Sequence, residues 1–283
     1  MTAASDSYGF IKGHGTENDF VVLPDPDGSV HGPLSDERVR ALCDRHAGIG
    51  GDGVLRVIRT AAYAAGWPGA PDPSTSRGEW FMDYRNADGS IAEMCGNGTR
   101  VFAAYLRSHQ GAGDELTIAT RGGDKTLTFD GELWTVDLGE PRLLGWSEVS
   151  VGDTTWKARH VDMGNPHAVA LIDAPVAGLD LTRQPGFDAA VYPRGVNVEL
   201  VERVGEAHLR MRVHERGVGE TRSCGTGIGA TAVATMAADG QVAAGATYTV
   251  EVPGGRLTVT WTAENRALLT GPAALVAEGS TAL

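Results

Sequence analysis

Apolar and polar residues alternate over short stretches along most of the chain, as in Thr126-Leu127-Thr128-Phe129, and glycine, asparagine and proline punctuate the stretches. Period-two alternation sends successive side chains to opposite faces, so these stretches predict half-buried strands. In the first half they cover residues 8–15, 20–23, 54–59, 80–86, 115–120, 125–129 and 133–138. In the second half, residues 160–169 read as strand, polar turn, strand, followed by strands at 209–214, 248–252, 257–261 and 268–270. Helical spacing marks residues 35–46, with Ser35 as N-cap and Glu37 in the first turn, residues 99–107, with Val101, Phe102, Tyr105 and Leu106 on one face, and residues 226–236. Residues 63–77, with Pro68, Pro71 and Pro73, predict a loop, and residues 141–152 predict a link between lobes.

The order of elements repeats. After the helix at 99–107 come a strand, Gly122-Gly123, a strand, a short turn, a strand and Gly139-Glu140-Pro141. After the helix at 226–236 come a strand, Gly254-Gly255, a strand, a turn, a strand and Gly271-Pro272. A Cys-Gly-polar-Gly turn precedes each helix: Cys95-Gly96-Asn97-Gly98 in one copy, Cys224-Gly225-Thr226-Gly227 in the other. A helix with antiparallel hairpins, twice over, predicts an α+β protein with two similar lobes.

Composition narrows the function. The 283 residues suffice for one large domain or two ordinary ones, and 42% hydrophobic residues allow a substantial core. A net charge of −12 argues against nucleic acid or an anionic membrane as partner. No apolar run reaches the roughly 18 residues of a membrane span, and Met1-Thr2-Ala3-Ala4-Ser5-Asp6 lacks the basic start of a signal peptide. Three cysteines are too few and odd in number for a disulfide framework, so free thiols in a reducing cytoplasm are expected.

Two thiols at matched positions suggest two acid/base groups facing one substrate, as inversion of a carbon stereocentre by two bases requires. A thiol ahead of a helix is stabilised as thiolate, and the glycine-exposed N–H groups there suit a carboxylate. Cys43, within the helix at 35–46, reads as a core residue. Arg216 is a natural fork for a carboxylate and Glu215 a partner for an ammonium. Asn18, Asn86, Asn165 and Asn197 sit in turns or at strand ends, where an amide serves either the turn or a zwitterionic amino acid. His167 is placed either to tune a thiol or to satisfy the core. Metal-ligand spacing, a phosphate-binding loop and a pyridoxal-phosphate lysine are not evident, so no metal and no cofactor are expected. A redox switch closing a Cys95–Cys224 disulfide is the non-enzymatic alternative.

With these residues in view, the chain resembles the diaminopimelate epimerases. The resemblance runs through His14-Gly15-Thr16-Glu17-Asn18-Asp19-Phe20, Arg45-His46-Ala47-Gly48-Ile49-Gly50, Asn86-Ala87-Asp88-Gly89-Ser90, Met163-Gly164-Asn165-Pro166-His167 and Asn197-Val198-Glu199, besides both cysteine turns and Glu215-Arg216-Gly217-Val218-Gly219-Glu220-Thr221. It implies a cofactor-independent epimerase interconverting LL- and meso-2,6-diaminopimelate in lysine and peptidoglycan precursor synthesis. Cys95 and Cys224 would be catalytic, and His167 and Glu215 would modulate the thiols. Gly96, Asn97, Gly225 and Thr226 would clamp the reacting carboxylate. Asn18, Asn86, Asn165, Asn197, Glu215 and Arg216 would contact substrate. The implied fold has two pseudosymmetric lobes, each a curled, mostly antiparallel sheet around a helix, with the active site in the interlobe cleft. The lobes would be 1–118 plus about 272–283, and 119–271. The resemblance also implies a cytoplasmic homodimer. The chain departs from many relatives at Gly51-Asp52-Gly53, where they carry Phe-Asp-Gln, at Thr16-Glu17, which many lack, and in a longer loop at 61–78. The same resemblance makes a proline or hydroxyproline racemase the nearest enzymatic alternative.

Overall fold

The computed structural model describes residues 7–67 and 72–283. They form two compact units, one of the described residues up to Val136 with Pro272–Leu283, the other Asp137–Gly271. The compact units change over inside β7 (Trp134–Gly139).

In the first unit the strands are β1 (Tyr8–Gly15), β2 (Asn18–Pro24), β3 (Gly53–Arg59), β4 (Trp80–Asn86), β5 (Glu115–Ala119), β6 (Lys125–Phe129) and the start of β7. Pairing runs β1–β2–β3–β4–β5–β6–β7, with β2–β3 and β4–β5 parallel and the other pairs antiparallel. β18 (Ala274–Thr281) adds an antiparallel edge on β1, from Tyr8 opposite Thr281 to His14 opposite Ala274. The helices are α1 (Asp36–Cys43), α2 (Thr60–Gly66) and α3 (Gly96–His109). α3 packs against β18 and β1 at one end of the sheet and against β5 and β6 towards the other, so the sheet curls around it. Val101, Phe102 and Leu106 of α3 are buried with Phe20, Val22 and Leu55 of the strands. Gly13 is where β1, β18 and α3 converge: a Cβ there would lie 2.8 Å from Val101 and 2.9 Å from the Ala274 carbonyl.

The second unit repeats this plan. β9 (Thr154–Asp162), β10 (Pro166–Ile172), β12 (Asn197–Gly205), β13 (His208–Glu215), β15 (Ala246–Val252), β16 (Gly255–Trp261) and β17 (Ala267–Gly271) pair in that order. Again the second and fourth pairs, β10–β12 and β13–β15, are parallel and the others antiparallel. β8 (Arg142–Val151) flanks β9 and carries the short β11 (Gly186–Phe187), while β14 (Gly219–Thr221) folds back on β13. α4 (Gly225–Ala238) packs against strands from β9 to β17. It is apolar all round, the signature of a helix enclosed on every side. The α+β architecture of curled sheets around a helix is thus present in both units.

Two local readings are corrected. The stretch from residue 63 is not wholly loop, because α2 runs through Gly66. Alanine is the best helix former, Ala61, Ala62, Ala64 and Ala65 fill α2, and Tyr63 anchors it on Phe81 at 4.4 Å between rings. Pro68 and Pro71 lie outside the described residues. Residues 141–152 are not a link but the ten-residue strand β8, paired with β9 and burying Ser147 and Val149.

Candidate active site

The repeat sets equivalent positions together at one end of each sheet. β2 starts at Asn18 and β10 just after Asn165, β3 starts at Gly53 and β12 at Asn197, β4 ends at Asn86 and β13 at Glu215. A parallel pair aligns its strand starts, as Phe20 beside Gly53 and His167 beside Asn197 show. The antiparallel next strand ends at that same edge. Cys95 and Cys224 are the N-caps of α3 and α4, both with extended backbone. The helices begin at Gly96 and Gly225, earlier than their apolar periodicity, because the first turn is glycine and polar residues.

In the first unit, Cys95 Sγ accepts from the Gly98 N–H at 3.4 Å and its S–H donates to Asn18 Oδ1 at 3.6 Å. Asn97 Nδ2 donates to the same oxygen at 3.2 Å. Asn18 Nδ2 donates to Asp52 Oδ2 at 2.7 Å, which fixes the amide with its oxygen towards the thiol. Burial pushes Asp52 up. Against its own burial, bonds from Arg45 and Lys12 hold the neighbouring Asp19 well below the usual carboxylate range. Arg100, with no exposed surface, donates to Asn97 Oδ1 at 2.8 Å and to the Gly96 carbonyl at 3.1 Å. Burial pulls this guanidinium down to about 10, opposed by charge on Cys95. Asn86 Nδ2 donates to Ser90 Oγ at 2.9 Å within its turn.

In the second unit, Cys224 is buried, with Thr226 Oγ1 at 3.6 Å from Sγ. His167, fully buried, sets Nδ1 2.7 Å from Glu199 Oε1 and Nε2 3.0 Å from Asn165 Oδ1. Asn197 donates to the Pro166 carbonyl at 2.9 Å and accepts from the Arg216 N–H at 3.0 Å. Glu215 accepts from Thr221 Oγ1, and the Arg216 residue is exposed. A thiol at a helix N-terminus is ordinarily shifted towards thiolate, yet Cys224 moves the other way. Burial pushes it well above the ordinary thiol value, aided by Glu215 and Glu199, and the Gly227 and Thr226 bonds do not compensate.

Burial pushes the Cys43 thiol up to about 11, as befits a core residue. Among the described residues no cluster of His, Cys, Asp and Glu is arranged to hold a metal ion, and no helix is long and apolar enough to cross a membrane. Sequence reasoning assigned no role to Asp52, Arg100 or Glu199. Their available signals were position alone: Asp52 in a glycine run, Arg100 one turn into a helix, Glu199 two residues beyond Asn197 and so on its face of the strand.

The model of the family described as diaminopimelate epimerase matches residues 10–144 and 159–276. The chain belongs to the diaminopimelate epimerase family. It is 54% identical to the diaminopimelate epimerase of Streptomyces coelicolor over 95% of this chain and 94% of that one. With the diaminopimelate epimerase of Rhodococcus opacus it shares 51%, over 96% of each. Family membership makes the chain an epimerase. Solved structures extend the likeness of fold further. A phenazine biosynthesis protein of the PhzF family from Bacillus anthracis superposes with a TM-score of 0.68 at 16% identity, covering 98% of this chain and 99% of that one. A hydroxyproline epimerase from Agrobacterium vitis gives 0.65 at 15% identity, over 97% and 91%.

Proposed function

We propose that the chain interconverts LL- and meso-2,6-diaminopimelate without a cofactor, using Cys95 and Cys224 as the two acid/base groups at one α-carbon. The observation that carries this reading is the placement of a cysteine at the same N-cap of the central helix in both units. A helix N-terminus offers N–H groups without intrahelical acceptors and a positive dipole end. In this reading the α-carboxylate rests on the amides of Gly96, Asn97, Gly225 and Thr226, which stabilise the negative charge that grows as the α-proton leaves.

The charged surroundings differ between the thiols and support a division of labour. Cys95 has the Arg100 cation within electrostatic reach, whereas Cys224 is buried and faces Glu215 and Glu199, which favour thiol. In one direction, the thiolate takes the α-proton and becomes a thiol; the opposite thiol gives its proton to the other face and becomes a thiolate. The proton count is unchanged and the centre is inverted, and the roles exchange in reverse. His167 and Glu215 modulate the thiols. Arg216 and Glu215, with Asn18, Asn86, Asn165 and Asn197, receive the remaining carboxylate and ammonium groups; the distal pair is what proline lacks. The enzyme serves lysine and peptidoglycan precursor synthesis in the cytoplasm and acts as a homodimer.

Proton exchange tests the reading. LL-diaminopimelate in D₂O with reduced protein, followed by NMR, is expected to gain deuterium at one α-carbon with conversion to the meso form. Cys95→Ala and Cys224→Ala should each abolish that conversion. Conversion surviving either substitution refutes the two-thiol mechanism, and exchange with proline instead of diaminopimelate moves the substrate assignment.

A further inference from the structure

Glu199 is a fully buried carboxylate, and its Oε2 has no hydrogen-bond partner among the described residues. Such an oxygen is costly to bury, so its presence calls for a compensating use. Its other oxygen meets His167 Nδ1 at 2.7 Å. α4 closes over the pair at Gly227, the third residue of the helix. A Cβ on Gly227 would lie 2.8 Å from Glu199 Oε1 and 3.3 Å from Cys224 Sγ. Carboxylate and thiol therefore approach the same point, and only a glycine leaves room for both.

We propose that Glu199 is a positioning residue for proton transfer at Cys224: it orients His167 through Nδ1 and presents the charge that keeps Cys224 a proton donor at rest. The proposal rests on the two-thiol reading above and adds to it a third group in the second unit. The titratable groups acting on the thiol are Glu199 from β12, Glu215 at the end of β13 and, through Glu199, His167 from β10. Burial pushes Glu199 up to about 7 against the pull of His167. Glu199 therefore changes charge near neutrality. When the carboxyl is protonated, the charge facing Cys224 falls and the thiolate forms more readily. When it is ionised, the carboxylate holds the thiol proton in place. The two titrations are linked, each biasing the other.

The test uses the full chain labelled with [3-¹³C]cysteine and no substrate, following each cysteine Cβ signal against pH, with signals assigned by single cysteine substitutions. Glu199→Gln removes the charge and keeps a side chain of the same shape. The Cys224 midpoint is expected to move to lower pH while the Cys95 midpoint stays, and the alkaline limb of the kcat profile should move with it. Circular dichroism checks folding. Should Glu199→Gln fail to fold, Glu199→Asp withdraws the carboxylate by one methylene and is expected to move the Cys224 midpoint in the same direction. A Cys224 midpoint unchanged in the folded variant, or Cys95 and Cys224 moving equally, overturns the proposal. Because the titration needs no substrate, wild-type protein that fails to exchange diaminopimelate would overturn the assigned reaction and leave this coupling measurable.

Discussion

Arg100→Met is the substitution whose cost follows most directly from the structure. The guanidinium has no exposed surface, and its well-formed bonds are those to Asn97 Oδ1 at 2.8 Å and to the Gly96 carbonyl at 3.1 Å. The contacts to the Pro272 carbonyl at 3.3 Å and Thr16 Oγ1 at 3.5 Å are stretched and add little. A hydrogen bond from a charged donor contributes about 1.5–3 kcal/mol, so the two good ones together contribute roughly 3–6 kcal/mol. Methionine keeps most of the buried stem and relieves the desolvation of the charge, which offsets part of that loss. The expected net destabilisation is about 3 kcal/mol, which at a slope of about 3 kcal/mol per molar lowers the urea midpoint by about 1 M. Urea unfolding followed by tryptophan fluorescence reads it. Asn97 also reaches Asn18 Oδ1, so the same variant should slow deuterium exchange at the α-carbon. A loss below about 1 kcal/mol with exchange at the wild-type rate would refute the claim that Arg100 braces the first turn of α3.

Two further expectations come from one carboxylate and one imidazole. Asp52→Ala removes the acceptor that fixes the Asn18 amide; a misplaced first-turn contact costs rate steeply, so turnover should fall about tenfold or more, and Asp52→Asn, which keeps an acceptor oxygen, should recover part of it. Steady-state kinetics decides, and a wild-type rate in Asp52→Ala would remove Asp52 from the site. His31 is held neutral, its burial pulling it from 6.5 down to about 4 despite Asp25 nearby. Between those values the unfolded imidazole binds a proton that the folded one refuses, so the stability tied to His31 is present above 6.5 and lost as pH falls towards 4. The urea midpoint of wild type should therefore drop across that window more than that of His31→Asn, and parallel curves would contradict the assignment.

The chain by itself determined the parts that depend on local alternation. Period-two runs located β1 to β7 and, in the second unit, β10, β13 and β15 to β17, while β12 carried no such reading; the glycine pairs marked the hairpins β5–β6 and β15–β16. The matched Cys-Gly-polar-Gly turns ahead of α3 and α4 located both N-cap cysteines, because N-cap geometry is set within four or five residues. The candidate residues Asn18, Asn165, Asn197 and Glu215 were legible as strand ends, although their alignment at one edge depends on which strands pair. Pairing was beyond reach of the sequence, since β1 joins β18 across nearly the whole chain and two parallel pairs sit inside each otherwise antiparallel sheet. For the same reason β8 reads as a link until β9 supplies its partner, and α2 is hidden by the prolines that follow it. The roles of Arg100, Asp52 and Glu199 were decided by tertiary structure alone. A charged side chain is ordinarily solvated and carries no periodic signal. Its energetic weight appears only when packing removes water and sets it against a thiol, an amide or a glycine with no side chain to stand in the way.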